Sequence, residues 1–565
     1  MSHLRTLRGH RLAVATALVA GLLPITLVAV PSGADSTTTA PAVTATTLTA
    51  PQIPGVAALP FTGVVAAPAT MSPTLGVLTV TPNQGVEGVP FTVSGTGLPP
   101  STSVQLTWST TNVSWAVDVE PNTVNYLGRT QASTAVVMAT VTTDASGNFS
   151  VALTTPVDVG GIHDIYAVVN GVNVDHGGFE LLRTLTMSPR SGPVGTPITI
   201  TYTALGGSFY TGGASVLWDN HYVGEMMANW TRGTASATIR ATGSVGIHYL
   251  QVGNAISYLY LNVIQSPIPY TNGATLRFRV TPGHASLTPT IDWPVSVAPT
   301  LSERTTLSAV GLDPASHAVA NLSVTSGPVN TKDNLSVSNL PDSGSLQLVW
   351  SSVVGNRVNC YSTCWSFSSV PLGTATATNG RLSAAITIPN GLGGWHVVQV
   401  MKGTTIEAQV PFYVMESIVP FYNSAGQLVS MGVATANDAS TAAAVAVGQS
   451  GTGQYTFKEG QEFTISIDGV GWTQLDNTLG VDYDNSYMGY GCGFNSNGYM
   501  VIHLHATGGP GVHLIDLYPM LYSLSPSFAN TPYGMVPVLS YAHDYPGLAL
   551  GYHVPSIRFA ITIVK

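Results

Sequence analysis

A short phrase that joins glycine, an apolar residue and histidine recurs four times along the chain. It reads G-I-H-D-I-Y-A-V-V from Gly161, G-I-H-Y-L-Q-V from Gly246, G-W-H-V-V-Q-V from Gly394 and G-V-H-L-I-D-L from Gly511. After each histidine, apolar and polar residues alternate with the period of a β-strand that has one buried face. A phrase that recurs in this way indicates tandem copies of one structural unit, and this constrains the fold more than any other feature.

Each copy also has an earlier strand-like run that ends in an aromatic residue. The four aromatic residues are Trp108, Trp218, Trp350 and Tyr483. Gly and Pro punctuate the alternating runs about every 8–12 residues, which is typical of β-sandwiches. The sequence therefore predicts an all-β chain of tandem sandwich domains.

The first two copies open with a shared phrase, P-N-Q-G-V-E-G-V-P-F-T-V from Pro82 and P-R-S-G-P-V-G-T-P-I-T-I from Pro189. Shorter remnants occur at Ser326 (S-G-P-V) and Glu462 (E-F-T-I). These phrases resemble the IPT/TIG-like and related immunoglobulin-like repeats of bacterial surface proteins. The resemblance implies immunoglobulin-like sandwiches with adhesive or structural roles, and it implies no catalytic residues.

Residues 1–34 have the pattern of a secretory signal peptide. Basic residues (Arg5, Arg8 and Arg11) precede an apolar run from Leu12 to Val30, and Ser32 and Ala34 suit a cleavage site. The alternative is an uncleaved membrane anchor, since the run is long enough to span a bilayer. Either interpretation predicts a secreted or cell-surface protein.

The remaining chain divides by composition and repeat phrase. Residues 35–74 are rich in Thr, Ala and Pro, which predicts a linker or stalk, with glycosylation as a further expectation. Four immunoglobulin-like domains are then expected at 75–182, 183–265, 266–415 and 416–565. The third has an extra N-terminal segment, because residues 266–320 fit no repeat phrase, and the fourth has an extended tail. The helix candidate is Ala434–Val447.

The spacing from the strand aromatic to the histidine differs between copies. It is 30 residues in copies two and four, 55 in copy one and 46 in copy three. Copy one therefore carries an insertion near Ser109–Ser133, and copy three carries one that includes Cys360 and Cys364. Insertions between core strands extend loops or edge strands, where binding sites are common.

The chain has few charged residues: 18 Lys and Arg together, and 27 Asp and Glu together. They make up 8% of the chain, whereas ordinary soluble domains have about 25%. The net charge of −9 argues against a nucleic-acid partner. Few carboxylates also predict a fold that tolerates acid. An extracellular protein or glycan ligand, or self-assembly, remains compatible with this composition.

The repeated histidines (His163, His248, His396 and His513) share strand faces with apolar residues. Because every copy has one, we expect them to belong to the framework of the repeat together with Trp108, Trp218 and Trp350. A buried imidazole needs a hydrogen-bond partner. We expect that partner to be backbone in the glycine-bearing turn just before each histidine, by analogy with the tyrosine corner of immunoglobulin domains.

Two groups in the last copy have ligand-like chemistry for metals. His503 and His505 share a strand face, which suits zinc if a third ligand is near. Asp476, Asp482, Asp484 and Asn485 cluster as calcium ligands do. Neither group completes a motif, so the expectation is no metal and no cofactor.

Four aromatic residues (Tyr483, Tyr487, Tyr490 and Phe494) alternate with Gly and Asn and are the candidates for ligand binding. The alternative is a tight hairpin whose aromatic side chains pack inward. Cys360 and Cys364 can form a local disulfide in an oxidising compartment, which leaves Cys492 as a buried free thiol. No nucleophile elbow or Cys–His pair is present. We expect a non-catalytic adhesive or structural protein; the alternative is a secreted hydrolase or metal-binding protein with its site in the last domain.

Overall fold

The computed structural model describes residues 46–49, 64–120, 123–208, 211–254, 274–295, 311–341, 343–355, 365–418, 421–422, 428–429, 455–522 and 535–565. Strands dominate these ranges, and they contain no α-helix. The predicted all-β fold is confirmed. Among the described residues no helix is long and apolar enough to span a membrane. The predicted signal peptide, the helix candidate Ala434–Val447, Cys360 and Cys364 all lie outside the described residues.

The first sandwich contains ten strands. They are β1 (Thr46–Thr47), β2 (Thr70–Val77), β3 (Thr79–Thr81), β4 (Gln84–Gly85), β5 (Pro90–Gly95), β6 (Ser103–Glu120), β7 (Thr123–Thr142), β8 (Phe149–Thr154), β9 (Gly161–Val169) and β10 (Val172–Leu181). One sheet has the order β3-β5-β8, and the other runs β7-β6-β9-β10 with β2 and β4 on β10. Phe91, Trp108 and Phe179 are fully buried between them.

The second sandwich repeats this arrangement. Its strands are β11 (Thr184–Ser188), β12 (Ser191–Val194), β13 (Pro197–Thr203), β14 (Gly213–Trp218), β15 (His221–Met227), β16 (Ala235–Arg240), β17 (Gly246–Asn254) and β18 (Ala274–His284), and β19 (Thr290–Asp292) follows them. The sheets are β11-β13-β16 and β12-β18-β17-β14-β15. Since β18 pairs antiparallel with β17, the expected boundary at 265/266 is wrong: the last strand of the second sandwich lies beyond it.

The third sandwich has the same two-sheet order. Its strands are β20 (Val319–Leu322), β21 (Ser326–Gly327), β22 (Lys332–Ser338), β23 (Gly344–Gly355), β24 (Trp365–Ala377), β25 (Leu382–Thr387), β26 (Gly394–Lys402) and β27 (Thr405–Val414). The sheets are β20-β22-β25 and β21-β27-β26-β23-β24. Alternate residues of β22 and β25, among them Leu335 and Ile386, are buried in the core between the sheets.

The fourth sandwich completes the described chain. Its strands are β28 (Ser417–Ile418), β29 (Phe421–Tyr422), β30 (Leu428–Val429), β31 (Tyr455–Lys458), β32 (Glu462–Asp468), β33 (Thr478–Tyr483), β34 (Ser486–Cys492), β35 (Met500–His505), β36 (Gly511–Tyr522), β37 (Met535–Pro537) and β38 (Ser556–Val564), with a 3-10 helix at Pro546–Leu550. One sheet is β28-β32-β35, and the other is β19-β38-β36-β33-β34. The strand β19 therefore belongs to the fourth sandwich and not to the third, where the sequence places it.

Part of the expected linker is built into the first sandwich. β1 pairs with β6, and Leu48 is buried in the main apolar core. Val65 forms a bridge to Val136 of β7, and β2 starts at Thr70, within the range expected to be a stalk. Within the described residues, this segment thus forms edge strands, because its backbone pairs with β6, β7 and β10.

The second and fourth sandwiches share one continuous apolar core. The cluster joins Ile200 and Trp218 of the second sandwich to Ile467 and Tyr518 of the fourth, and Trp115 of β6 packs into it. The insertion in copy one is therefore not a free loop. It lengthens the β6–β7 hairpin, which reaches across to the other two sandwiches.

Candidate functional site

Each repeated histidine stacks on the aromatic residue of the neighbouring strand. The ring centroids are 4.2 Å apart for Trp108 and His163, 5.6 Å for Trp218 and His248, 4.8 Å for Trp350 and His396, and 5.8 Å for Tyr483 and His513. The planes lie within 28° of parallel in all four pairs. The two residues that recur together in the sequence thus form one contact that recurs in the fold.

The Nε2 atom of each histidine contacts the turn before the strand. It lies 2.7 Å from the carbonyl oxygen of Val159 for His163, 2.7 Å from that of Ser244 for His248, 2.8 Å from that of Leu392 for His396, and 2.9 Å from that of Gly509 for His513. The acceptor is four residues earlier in every copy. This is the backbone contact that the repeat pattern predicts for a framework histidine.

The Nδ1 atom contacts the residue that follows the strand aromatic. In copies one and three this is a carbonyl oxygen, of Ser109 at 2.7 Å and of Ser351 at 3.1 Å. In copies two and four it is a carboxylate oxygen, of Asp219 at 2.5 Å and of Asp484 at 2.6 Å. The sequence analysis missed this second partner, although the aspartates could be read beside the aromatic residues.

Hairpin length explains the two kinds of partner. Asp219 and Asp484 each begin an Asp-Asn turn with positive φ angles at both residues, the backbone that tight two-residue hairpins require. The strand ends there, so the aspartate side chain supplies the acceptor. In copies one and three the strands β6 and β23 continue past Ser109 and Ser351, and the backbone carbonyl supplies it.

The environment sets the charge of two of these histidines. Burial lowers the pKa of His396, which keeps that imidazole neutral. Burial also opposes the charged form of His513, but the hydrogen bond and negative charge of Asp484 outweigh it and raise the pKa. The arrangement stabilises the turn before β36 and leaves no ring nitrogen of His513 for a metal.

The candidate metal ligands do not come together. His503 and His505 are exposed, and His503 Nδ1 lies 3.2 Å from Glu462 Oε1. Asp482 is buried in another sheet, and Asp484 holds His513. Within the part of the chain that the structure describes, no three His, Cys, Asp or Glu side chains are placed to hold a metal ion.

The aromatic ligand candidates mostly contact protein. Tyr483 Oη donates to the Thr507 carbonyl at 2.7 Å, Tyr487 packs edge-on against Tyr222 at 6.2 Å between ring centroids, and Phe494 is buried. Tyr490 is 44% exposed. The inward-packed hairpin therefore describes these residues better than a binding loop, and Phe494 is excluded. Cys492 is an exposed free thiol, so the expectation of a buried one is wrong.

A groove of about 830 Å³ lies on the outer face of the first sandwich. Strands β6, β7 and β9 line it with residues such as Gln105, Ser109, Ser133 and Tyr166. Gly207, Ser208 and Thr211 of the second sandwich also line it. The volume falls within the roughly 300–1,000 Å³ of small-ligand pockets.

Residues 65–69 form a strap along the groove. The strap is held to β7 by the Ala66 amide, which donates to the Ala135 carbonyl at 3.1 Å. At its other end, the amide of Thr70, the first residue of β2, donates to the carbonyl of Gly171 in the β9–β10 turn at 3.0 Å. The strap therefore runs from one edge of the sheet to the other. It thus adds residues of its own to the lining of the groove.

The lining of the groove mixes polar and apolar residues and is nearly uncharged. Hydroxyl and amide side chains make up about half of the lining residues, which include no Lys or Arg. The one carboxylate, Asp164, accepts a hydrogen bond from His176 Nε2 at 2.9 Å, and the His176 ring packs 5.1 Å from that of Tyr166. The sequence analysis missed this site, although the sequence contains a sign of it. Gln105, Thr107 and Ser109 alternate with buried residues, so their polar side chains share the outer face of β6.

Three sandwiches meet at the fully buried carboxylate of Asp544. Its Oδ1 accepts a hydrogen bond from Trp115 Nε1 of the β6–β7 hairpin at 2.8 Å. Its Oδ2 accepts one from the backbone amide of Asn229 in the second sandwich. Burial raises the pKa of Asp544 to about 6. The His-Asp dipeptide at 543–544 is therefore a structural junction in this fold.

A second polar junction joins the second and fourth sandwiches. Arg240 Nη2 lies 2.8 Å from Asp516 Oδ1, and Arg558 Nη1 lies 3.5 Å from the same oxygen. Asp482 faces Asp516 across the β33–β36 ladder. Burial, reinforced by the charge of Asp516, raises the pKa of Asp482 well above its usual value.

No known protein family and no curated protein matches the chain. Among solved structures, the adhesin FdeC of Escherichia coli aligns over 62% of this chain and 100% of that chain, with 13% identity and a TM-score of 0.14. A putative membrane anchored protein from Corynebacterium diphtheriae covers 60% of this chain and 90% of that chain, with 12% identity and a TM-score of 0.15.

The alpha-2-macroglobulin of Escherichia coli aligns over 85% of this chain but only 30% of that chain, with 10% identity and a TM-score of 0.16. Similarities at this level carry no argument about function. The description of the chain as immunoglobulin-like sandwiches rests on its own strand order.

Proposed function

We propose that the chain is an exported, non-catalytic surface or extracellular-matrix protein with an adhesive or structural role. The observation that carries the proposal is the buried junction at Asp544, which fixes three sandwiches to one another through Trp115 and Asn229. A scaffold held at buried contacts presents its surface in a fixed geometry, and this suits adhesion or structural support better than the moving parts of many enzymes.

The repeat type that we propose is IPT/TIG-like. Support comes from the opening phrases at Pro82 and Pro189, which precede the equivalent strands β5 and β13 in the first two sandwiches. We also propose that the N-terminal segment directs export and that the mature chain resides outside the cell or at its surface. Few charges and a polar, hydroxyl-rich surface are compatible with that location.

Fractionation of cells that express the chain tests this function. We expect the protein in the medium, wall or envelope fraction, and electron microscopy of envelopes should then separate an ordered coat from dispersed molecules. Retention in the cytoplasm would contradict the proposal. So would stoichiometric zinc in the purified protein that disappears when His503 and His505 are changed to Ala, because that outcome favours a metal-dependent activity.

A further inference from the structure

We infer that the groove of the first sandwich is a binding site for a neutral oligosaccharide; this rests on the proposed function and names its ligand class. The groove is the place where the first sandwich, the strap of residues 65–69 and the second sandwich come together. An ion pair joins the first and second sandwiches beside it. Arg232 Nη2 of the second sandwich lies 3.1 Å from the buried Asp158 Oδ1 of the first.

The charge of the lining argues for a neutral ligand. Anionic ligands are recognised by Arg or Lys, and neither residue lines the groove. His163 cannot substitute for them, because both of its ring nitrogens contact backbone carbonyls. The groove has a single carboxylate, Asp164, and one of its oxygens accepts a hydrogen bond from His176, so it offers a cationic ligand less than a cluster of acids would.

The strand edges beside the groove argue against a peptide ligand. Extended peptides bind by adding a strand to an open sheet edge. The β7 edge is paired here, since the Val137 amide donates to the Val64 carbonyl at 3.0 Å. The β10 edge is paired with β2. What the groove offers is therefore the side-chain face of the sheet.

That face has the chemistry of a sugar site. Gln105, Gln131 and Asn173 carry amides that both donate and accept, and Ser109 and Ser133 carry hydroxyls. These groups match sugar hydroxyls, which also donate and accept. The half-buried ring of Tyr166 is braced by the His176 ring and supplies an apolar surface for the C–H face of a sugar.

An array of neutral and anionic glycans, followed by calorimetry with the best neutral oligosaccharide, tests the inference on the purified full chain. Changing Gln105 to Ala and Tyr166 to Ala should each weaken binding at least about tenfold while the melting temperature stays close to that of the wild type. Gln347→Ala is the matched control. Gln347 occupies the place in the third sandwich that Gln105 occupies in the first, and we expect it to leave binding unchanged.

Three outcomes would overturn the inference: no neutral glycan binds, the bound glycan is insensitive to Tyr166→Ala and Gln105→Ala, or only peptides or anionic glycans bind. These failures differ from failure of the proposed function. A surface-located protein without glycan binding overturns only the ligand class. A cytoplasmic protein overturns the function, whatever the calorimetry shows.

Discussion

The indole nitrogen of Trp115 donates a hydrogen bond to Oδ1 of Asp544 at 2.8 Å, although 429 residues separate the two in sequence. Both side chains are fully buried. The β6–β7 hairpin of the first sandwich is thereby fixed to the tail of the fourth. Together with the ion pair between Arg232 and Asp158, this contact holds the first sandwich against the others.

Changing Trp115 to Phe should destabilise the protein by about 1–3 kcal/mol, because one oxygen of a buried carboxylate loses its donor. Denaturant unfolding followed by tryptophan fluorescence and circular dichroism measures the change. Tyr249→Phe, at a residue that is 43% exposed, is the control and should have little effect. An unchanged midpoint in the Trp115 variant would show that the junction contributes no stability.

Changing His396 to Ala should cost about 1–3 kcal/mol, because the neutral imidazole has one N–H to donate and its loss leaves the carbonyl of Ser351 or Leu392 without that donor. The lost contact with Trp350 adds to this cost. Thermal unfolding measures it. His284→Ala alters an exposed histidine and should be nearly neutral. Equal melting temperatures for the two variants would contradict the framework role of the repeated histidine.

Changing Asp484 to Asn should lower the pKa of His513, since the carboxylate is what raises it against burial. Because the folded state holds the His513 proton more tightly than the unfolded chain does, this histidine stabilises the fold at pH values below its unfolded pKa. The stabilisation is lost as the pH rises through its folded pKa. Nuclear magnetic resonance of labelled histidine side chains reports the titration. The signal of His396 serves as an internal reference and should not move.

Buried carboxyls should make the fold more stable in acid than at neutral pH. Burial raises the pKa of Glu225 to about 7, so the folded state holds its proton more tightly than the unfolded chain. Stability from this group is complete below about pH 4.5 and is lost as pH rises towards 7. Melting temperatures from pH 4.5 to pH 7.5 should therefore fall, and Glu225→Gln should flatten the profile.

The sequence alone predicts only that the fold tolerates acid, because it has few carboxyls. The expected gain of stability in acid comes instead from the burial of carboxyls such as Glu225, which raises their pKa values. The opposite slope, with stability rising steadily from pH 4.5 to pH 7.5, would contradict the prediction.

The paired acids Asp482 and Asp516 should respond oppositely to amide substitution. Asp516 is held by Arg240 and Arg558, so Asp516→Asn should cost about 3–5 kcal/mol by leaving buried arginine charge uncompensated. Neither carboxyl oxygen of Asp482 has a hydrogen-bond partner within the described residues, and its pKa is raised. Asp482→Asn should therefore leave stability at neutral pH unchanged or increase it. Denaturant titration of both variants decides this, and an equal loss in both would refute it.

The sequence predicts the parts of the fold that depend on local periodicity. The alternation after His163 places Ile165 and Ala167 in the core, and the aromatic residue of each copy lies beside its histidine. Pairings between distant segments were not predictable, because a three-residue strand such as β19 carries no signal of its partner. The boundary error at β18 has a related cause: residues 255–273 separate β18 from β17 in sequence, although the two strands are neighbours in the sheet.

The candidate site was predicted less well. The aromatic residues around Tyr487 have the composition of a binding loop, yet packing against Tyr222 across two sandwiches takes precedence. The groove, in contrast, is built from ordinary Thr, Ser and Gln residues whose side chains converge only after the strap and the second sandwich are in place. Composition alone cannot reveal a surface that three separate segments create.

The pairing of β19 with β38 also sets an order of assembly. Asp292 and its partner Arg558 lie 266 residues apart. At ~5–20 residues per second, the ribosome makes the second strand about 13–50 s after the first. During synthesis β19 has no β38 to pair with, whereas the strands of the first sandwich are all made within one stretch of chain. Of the four sandwiches, the fourth is therefore the last that can close, since one of its edge strands waits for a partner made much later.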